Sequence, residues 1–350
     1  MKKARKWIIN SLFMILLLVL TYYAVLKEED PRLILSLLDW ADGRYWVLGL
    51  FLVLVFIVCE SHILRLLLNT VGSPPPQGHC LYYSFVGFFF SAITPSAGGG
   101  QPAQVVYMHK DGIHSAVSAP ILVIVTICYK AVLLIYGVIA FVVRPEELVN
   151  ARSGAQLWCM IGFVATAVVV LGFVLLIVKP RWVEKVLRGG LRFAGKFIRK
   201  EERLKRWDDK LAGLMNTYHD VTLTIQKNPR ILVWTMLITF FQRSLLFFVT
   251  WLVMMSFGLD HVDPFSIITL QATVSLGTDL VPLPGGTGAN EALFLLLFEG
   301  FCGELWVTPV LLATRGITYY GQLLISGLGT LYAGWRIKKH GVKKSESAAE

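Results

Sequence analysis

The chain has 350 residues, of which 55% are apolar and only 16% are charged, and its mean hydropathy is +0.62. A soluble domain of this length does not need so much apolar surface, so the composition excludes a soluble globular protein and indicates a polytopic membrane protein. The net charge of +10 is concentrated in segments beside apolar runs, which is typical of a membrane surface, and no nucleic-acid partner is expected.

Six apolar runs are long enough to cross a hydrocarbon core roughly 30 Å thick, at about 1.5 Å per residue. In chain order they are 8–26, 46–68, 116–143, 155–178, 231–257 and 309–335. The first run lacks a small-residue cleavage site, so we interpret it as a retained helix rather than a signal peptide. The basic segments 1–6, 179–230 and 336–344 are expected on the cytoplasmic side of the cytoplasmic membrane, so both termini are cytoplasmic.

Two shorter apolar segments each end in a tip rich in proline and glycine. They are 81–94 before the first tip, 95–100, and 265–283 before the second tip, 284–288. Four full-length runs, an even number, lie between the N-terminus and 179–230. Both segments are therefore cytoplasmic only if 81–94 makes no net crossing. We therefore expect each segment to enter the membrane, turn at its tip and return through 101–108 or 291–301. The alternative is that one or both are kinked helices that span the membrane.

The pattern predicts an all-α polytopic membrane protein with six full transmembrane helices and two opposed re-entrant helical hairpins. The whole chain, 1–350, forms one membrane domain in this interpretation. A helix–hairpin–helix unit occurs twice, over 46–143 and 231–335, in opposite orientation, which makes an inverted repeat typical of transporters.

The linker 179–230 between the two units is basic and has a helical pattern. Its apolar stripe is Leu204, Trp207, Leu211, Leu214, Tyr218, Val221 and Ile225, and Asn228-Pro229 is expected to end the helix. A second stripe among basic residues, over 182–198, fits a helix lying on the anionic cytoplasmic leaflet. Packing against the helical bundle, with charges that set the topology, is the alternative.

Ionisable residues at membrane depth cost several kcal/mol unless they face a cavity or a partner, so each is a functional candidate. One cation precedes each hairpin and one follows it: Arg65, Lys130, Arg243 and Arg315. We predict that the four converge on the phosphate of an anionic lipid headgroup, because a guanidinium binds two phosphate oxygens and stays charged. The candidate counter-ions are Glu60, Asp279 and Glu291. The alternatives are buried ion pairs and, for Arg65, a side chain that reaches the interface.

The tips are the second part of the predicted site, because a glycine-rich turn before a helix exposes N–H groups to an anion. Their candidate residues are Pro95, Gly98, Gly99, Gly100, Gln101, Pro284, Gly285, Gly286 and Gly288. Close helix packing is the alternative role of the glycines. The chain has no metal-ligand spacing, no phosphate-binding loop and no nucleophile elbow, so no metal, cofactor, ATP hydrolysis or enzymatic activity is expected.

Two stretches resemble the membrane domain of the lysylphosphatidylglycerol synthase/flippase family, including its stand-alone members. They are 94–102 followed by His109-Lys-Asp-Gly112, and 282–292 followed by Arg315 with Tyr319 and Tyr320. The resemblance covers nearly the whole chain, implies lipid handling, and adds Tyr319 to the polar site residues. The family often has an acid where Gln101 stands and Glu-Arg where Tyr129-Lys130 stand. The soluble aminoacyltransferase domain of bifunctional members is not expected after the last apolar run.

The sequence thus predicts a lipid translocase that moves an anionic or aminoacylated phospholipid, or a related lipid phosphate. One alternative is a membrane-embedded transferase that modifies a lipid, by lysyl transfer to phosphatidylglycerol or glycosyl transfer to a lipid carrier, with Glu291 or Asp279 as base. Another is a membrane partner of a separate synthase. Membrane phospholipid is the expected partner in each case, and a homo-oligomer stays open.

Overall fold

The computed structural model describes residues 38–76, 78–143, 153–179 and 201–346, and the single positions 36, 148, 181, 184, 185 and 189; for 201–211 and 335–346 it describes the backbone alone. These residues are mostly helical and include no strand. The helices are α1 (Gly43–Thr70), α2 (His79–Ala92), α3 (Gly100–Lys110), α4 (Ser115–Val143), α5 (Ser153–Val178), α6 (Glu201–Gln226), α7 (Pro229–Ser256), α8 (Pro264–Thr278), α9 (Ala289–Arg315) and α10 (Gln322–Glu346). A π-helix, Gly316–Gly321, joins α9 to α10.

Five helical stretches in the described part of the chain are long and apolar enough to cross a membrane. Four coincide with α1, α4, α5 and α7, which confirms four predicted runs, and the run 309–335 overlaps the C-terminal half of the fifth, Pro284–Gly334. The predicted run 8–26 lies outside the described residues. The fifth stretch has 51 residues and is interrupted at Gly303 (φ 72°, ψ 162°). A straight helix of that length would measure about 76 Å, far more than one crossing needs.

The outer surface of the bundle is apolar, as a lipid-facing surface requires. Helix α5 carries no charged residue, and its Leu157, Val168 and Leu171 are 62%, 65% and 61% exposed. A water-soluble protein rarely exposes an apolar surface this large and continuous. The exposed face of α5 is therefore the face that contacts acyl chains.

The most extensive contact between two helices in the described part of the chain is that between α1 and α7. Phe56 of α1 and Val249 and Val253 of α7 are fully buried in one apolar cluster, which also includes Phe294 of α9. The side-chain amide of Gln242 donates to the carbonyl oxygen of Phe56 over 2.9 Å, so a polar contact links the two helices inside this apolar core. Helix α7 is thereby fixed against α1 at the depth where Arg243 lies.

The first helix of each short pair packs against long helices of the other half of the chain. Helix α2 lies against α10, and α8 lies against α4 and α5. The approach of α5 to α8 is close, since a Cβ on Gly162 would lie 2.7 Å from the Cα of Gly277. Asp111, which follows α3, accepts hydrogen bonds from His79 (2.7 Å) and Tyr83 (2.6 Å) of α2, so the two ends of the first pair lie side by side.

The linker contains the helix that its apolar stripe indicates, α6, which ends just before Asn228-Pro229. Its C-terminal half packs on the end of α5, where Tyr218 donates to the Leu176 carbonyl (3.2 Å) and Gln226 to the Ile177 carbonyl (2.8 Å). Leu214 was expected in the buried stripe but is 38% exposed, because Met215 takes the buried position of that turn. Most of the second predicted stripe, 182–198, lies outside the described residues.

Candidate functional site

The two tips begin with similar backbone angles although their sequences differ, and they diverge at Gly98 (ψ −17°) and Thr287 (ψ 137°). Thr94 (φ −121°, ψ 147°) and Leu283 (φ −123°, ψ 145°) are extended, as residues before proline prefer. The residues after each proline are left-handed: Ser96 at φ 49° and Ala97 at φ 54° in the first tip, and Gly285 at φ 60° and Gly286 at φ 64° in the second. Left-handed residues other than glycine are strained, and such strain is concentrated at functional sites.

The tips contact each other and the π-helix. Ser96 donates through Oγ to the Val281 carbonyl (3.4 Å), and the Tyr319 hydroxyl donates to the Ala92 carbonyl (3.0 Å). A Cβ on Gly285 would lie 2.3 Å from the Tyr319 ring, so this contact requires glycine. Gly100 is also needed for close packing, because its Cβ would lie 2.6 Å from the carbonyl oxygen of Gly87. Close packing therefore explains some of the tip glycines.

A cavity of about 470 Å³ lies between the tips. Its volume is within the range of small-molecule sites, about 300–1,000 Å³. Of the predicted site residues, those that line it are Glu60, Gly98, Gln101, Lys130, Arg243, Asp279, Gly285, Gly286, Arg315 and Tyr319. Those that the described lining does not include are Arg65, Glu291, Pro95, Gly99, Gly100, Pro284 and Gly288. Both tips and three of the four predicted cations thus meet at one cavity.

Lys130 is already neutralised inside the fold. Its ammonium forms a direct ion pair with Asp279, the residue that follows α8, and the Tyr129 hydroxyl donates to the other carboxylate oxygen of Asp279 over 2.8 Å. Both charged side chains are nearly buried, at 12% and 8% exposure. This cluster fastens α4 to the end of α8, which is the buried ion pair that the sequence left as an alternative.

Arg315 is also paired within the protein. Its Nε donates to Glu291 (2.8 Å) and its Nη2 donates to the Gly285 carbonyl (3.1 Å), while its guanidinium lies 4.6 Å from the centre of the Tyr319 ring. Glu291 also accepts a hydrogen bond from the Gly288 amide (2.5 Å) at the start of α9 and is 1% exposed. Arg315 therefore holds the second tip in position.

Arg243 differs from the other two cavity cations. Among the described residues no carboxylate oxygen lies within 4.0 Å of its nitrogens, and its buried Nε has no hydrogen-bond partner. The guanidinium lies 3.6 Å from the centre of the Tyr129 ring and 5.0 Å from that of Phe56. A guanidinium remains charged at any ordinary pH, so a buried one needs a compensating anion. Glu60 also lines the cavity and interacts electrostatically with Arg243, but it makes no direct ion pair with it, and its carboxylate accepts a hydrogen bond from Gln242 (3.2 Å).

Arg65 does not join this site, since it is exposed and is not among the described residues that line the cavity. Residues five apart on a helix are separated by about 140° around its axis, so Glu60 and Arg65 face different directions. Glu60 faces α7 instead.

Tyr129 and Gln242 are site residues that the sequence analysis did not predict. For Gln242, the sequence signal was its position next to Arg243, which makes a polar pair inside an otherwise apolar helix.

Comparisons with known proteins agree with this description of a membrane protein. A family model described as the lysylphosphatidylglycerol synthase TM region matches residues 7–326. The chain is 20% identical over 326 residues to a UPF0104 membrane protein of Archaeoglobus fulgidus, which covers 88% of this chain and 92% of the relative. It is 20% identical over 333 residues to a UPF0104 membrane protein of Pyrococcus horikoshii, with 93% and 96% covered. Both relatives are named as membrane proteins without a stated activity.

Proposed function

Since this chain belongs to the family of lysylphosphatidylglycerol synthase transmembrane regions and is a multi-pass membrane protein, we propose that it is a lipid translocase. Its cargo is an anionic or aminoacylated phospholipid, or a related lipid phosphate, which it moves across the cytoplasmic membrane. One observation is the main support for the proposal: the cavity between the two tips contains Arg243, a cation that makes no direct ion pair with a carboxylate among the described residues.

Arg243 supplies the charge that holds the headgroup. Its planar group binds two phosphate oxygens through parallel N–H donors. The Tyr129 ring, whose centre lies 3.6 Å from the guanidinium, covers one side of this group and would leave its terminal N–H donors to an anion. Lys130 and Arg315 keep the walls of the cavity in place through their own ion pairs. The acyl chains stay in the bilayer, beside the apolar outer surface.

Movement of the headgroup requires the tips to separate. Two hydrogen bonds connect the region of one tip with that of the other, a 3.4 Å bond from Ser96 to the Val281 carbonyl and a 3.0 Å bond from Tyr319 to the Ala92 carbonyl. Breaking two ordinary hydrogen bonds costs about 1–3 kcal/mol in total, which thermal motion supplies readily. Rocking of one half against the other would then expose the cavity to each side in turn.

We also propose the finer topology of six full spans and two opposed re-entrant hairpins in an inverted repeat. It is supported by the left-handed residues that follow the proline in both tips, by the packing of α2 and α8 against helices of the other half, and by the contacts of Asp111 with His79 and Tyr83. The test uses single cysteines at Ser73 and Lys110 in a cysteine-free variant. Both should react with an impermeant reagent from the cytoplasmic side, whereas reaction from opposite sides would make α2–α3 a spanning segment.

The translocation proposal is tested by reconstitution into vesicles and measurement of the transbilayer movement of acyl-labelled phospholipids. Arg243→Gln should abolish the protein-dependent movement. Arg65→Gln is the matched control, since the same change at an exposed arginine outside the cavity should leave the rate unaltered. Equal rates for the two variants would refute the site, and recovery of a covalently altered lipid would favour the transferase alternative.

A further inference from the structure

The charges around the cavity sum to zero when each ion pair is counted as one neutral unit. The Lys130–Asp279 pair is neutral, and Arg315, which also lines the cavity, is neutralised by Glu291 behind the wall. Two charged residues of the described lining remain, one anion and one cation. They are Glu60 and Arg243. Without cargo the cavity is therefore electrically balanced, and the balance depends on these two side chains.

Glu60 and Arg243 compensate each other without a direct ion pair. Glu60 is 8% exposed and lines the cavity, and the hydrogen bond that its carboxylate accepts comes from the uncharged amide of Gln242 (3.2 Å). Arg243 interacts with it electrostatically, but no carboxylate oxygen of the described residues lies within 4.0 Å of the guanidinium nitrogens. A buried carboxylate is unfavourable unless a positive charge compensates it. The ionised form of Glu60 therefore depends on Arg243.

The other groups around Glu60 offer it no second positive charge. Besides Arg243, the titratable groups that interact with Glu60 in the described part of the chain are the thiols of Cys59 on α1 and Cys128 on α4, which are never cationic. Helix α2 contributes no titratable side chain to the lining. The remaining titratable side chains of the lining belong to the two ion pairs or are the tyrosines that contact them, Tyr129 and Tyr319.

A phosphate bound at Arg243 leaves Glu60 without its counter-charge. The cavity then holds two anions, the phosphate and the carboxylate, for one cation that is not already in an ion pair. In surroundings of low dielectric the repulsion between two anions is poorly screened, so one of them binds a proton. A phosphodiester is a much weaker base than a carboxylate, and the proton therefore goes to Glu60. The loaded cavity is then neutral again.

From these observations we infer that Glu60 is a proton-binding site and that each anionic headgroup crosses the membrane together with one proton. The inference rests on the proposed translocation and adds its driving force. An O–H bond forms on the Glu60 carboxylate as the phosphate reaches Arg243, and the proton leaves to the opposite side when the phosphate does. One negative and one positive charge cross together, so the transport is electroneutral. A pH gradient drives it, and a membrane potential does not.

The test uses phosphatidylcholine vesicles that contain the protein and a trace of acyl-labelled phosphatidylglycerol. An impermeant quencher measures the label in each leaflet, and protein-free vesicles give the uncatalysed movement. Under a gradient of one pH unit, acid outside, we expect about tenfold accumulation of the label in the inner leaflet. The reason is that one pH unit is worth about 1.4 kcal/mol for each proton carried. A potassium diffusion potential without a pH gradient should leave the label equally distributed.

Variants of Glu60 test whether this residue binds the proton. Glu60→Gln is uncharged at every pH, so under the same gradient it should bring the label only to an equal distribution. Glu60→Asp keeps a titratable carboxylate and should retain accumulation. Glu299→Gln is the matched control, because it removes an exposed carboxylate outside the described lining and should retain the tenfold ratio expected above. Equal accumulation by Glu60→Gln and the unaltered protein would overturn the inference.

The outcomes separate the inference from translocation itself. Protein-dependent movement that reaches only an equal distribution under the pH gradient would overturn the inference and leave translocation intact. This result needs only the unaltered protein, so it decides the matter even if a variant does not fold. Accumulation driven by the potential alone would also overturn the inference, since it would mean that the anion crosses without a proton. No protein-dependent movement under any condition would refute translocation of an anionic lipid, and with it the inference.

Discussion

Replacement of Gly285 by alanine should destabilise the second tip by an amount that follows from its geometry. Gly285 has φ 60° and ψ 14°, and a residue with a Cβ pays about 1–2 kcal/mol in this left-handed conformation. The new Cβ would lie 2.3 Å from the Tyr319 ring, which must therefore move. Its hydroxyl then loses the bond to Ala92, which contributes about 1 kcal/mol. The free energy of unfolding should fall by about 2–3 kcal/mol in total.

Thermal unfolding of the purified protein in detergent measures this loss, and for a chain of this length the midpoint should fall by about 3–4 °C. Gly98→Ala is the matched control, because Gly98 is helical (φ −68°, ψ −17°) and the atom nearest its added Cβ is the Pro95 carbonyl oxygen at 3.4 Å. It should change the stability by less than about 0.5 kcal/mol. In a Tyr319→Ala background Gly285→Ala should cost only its backbone strain. Equal midpoints for Gly285→Ala and Gly98→Ala would refute the reasoning.

Three further predictions concern the contacts around the cavity. Glu291→Gln leaves Arg315 buried without its anion and should lower the free energy of unfolding by about 3 kcal/mol. In an Arg315→Met background the same change should cost much less. Equal losses in the two backgrounds would contradict the coupling of this pair. Gly162→Ala places a Cβ 2.7 Å from backbone atoms of α8 and should lower the unfolding midpoint, whereas Gly172→Ala on the same helix meets no atom within 4 Å and should not; equal midpoints would contradict the close α5–α8 contact. Tyr129→Phe removes the hydrogen bond to Asp279 but keeps the ring against Arg243. The free energy of unfolding should fall by about 1 kcal/mol, and lipid movement should persist. Loss of movement would mean that the hydroxyl itself contacts the cargo.

The long helices could be predicted from the sequence because the membrane imposes their length and composition. Runs such as 116–143 and 155–178 have no alternative to a helix once they enter lipid, since every backbone group must be paired within the segment. The positions of the tips could be predicted for the same reason, as Pro95 and Pro284 end the preceding apolar segments. The left-handed backbone that both tips share after the proline could not, because Ser96-Ala97 and Gly285-Gly286 do not look alike in sequence.

Which of the four cations form ion pairs could not be predicted from the sequence. Lys130 and Asp279 are 149 residues apart, and Arg315 and Glu291 are 24 apart, so their pairing depends on which helices become neighbours. From the sequence alone, the same role in binding a phosphate is predicted for all four cations. The fold neutralises two of them, leaves Arg65 at the surface and leaves Arg243 without a paired carboxylate among the described residues. The charge available to a ligand is therefore a property of tertiary contacts.

The most direct test of the central claim is an experimental density map of the protein in nanodiscs that contain phosphatidylglycerol. The account predicts a lipid phosphate in the cavity within about 3 Å of the Arg243 guanidinium, with the Lys130–Asp279 and Arg315–Glu291 pairs intact. The same map of Arg243→Gln should lack that phosphate. An empty cavity in the unaltered protein, or a phosphate bound instead by Arg65 at the surface, would contradict the account.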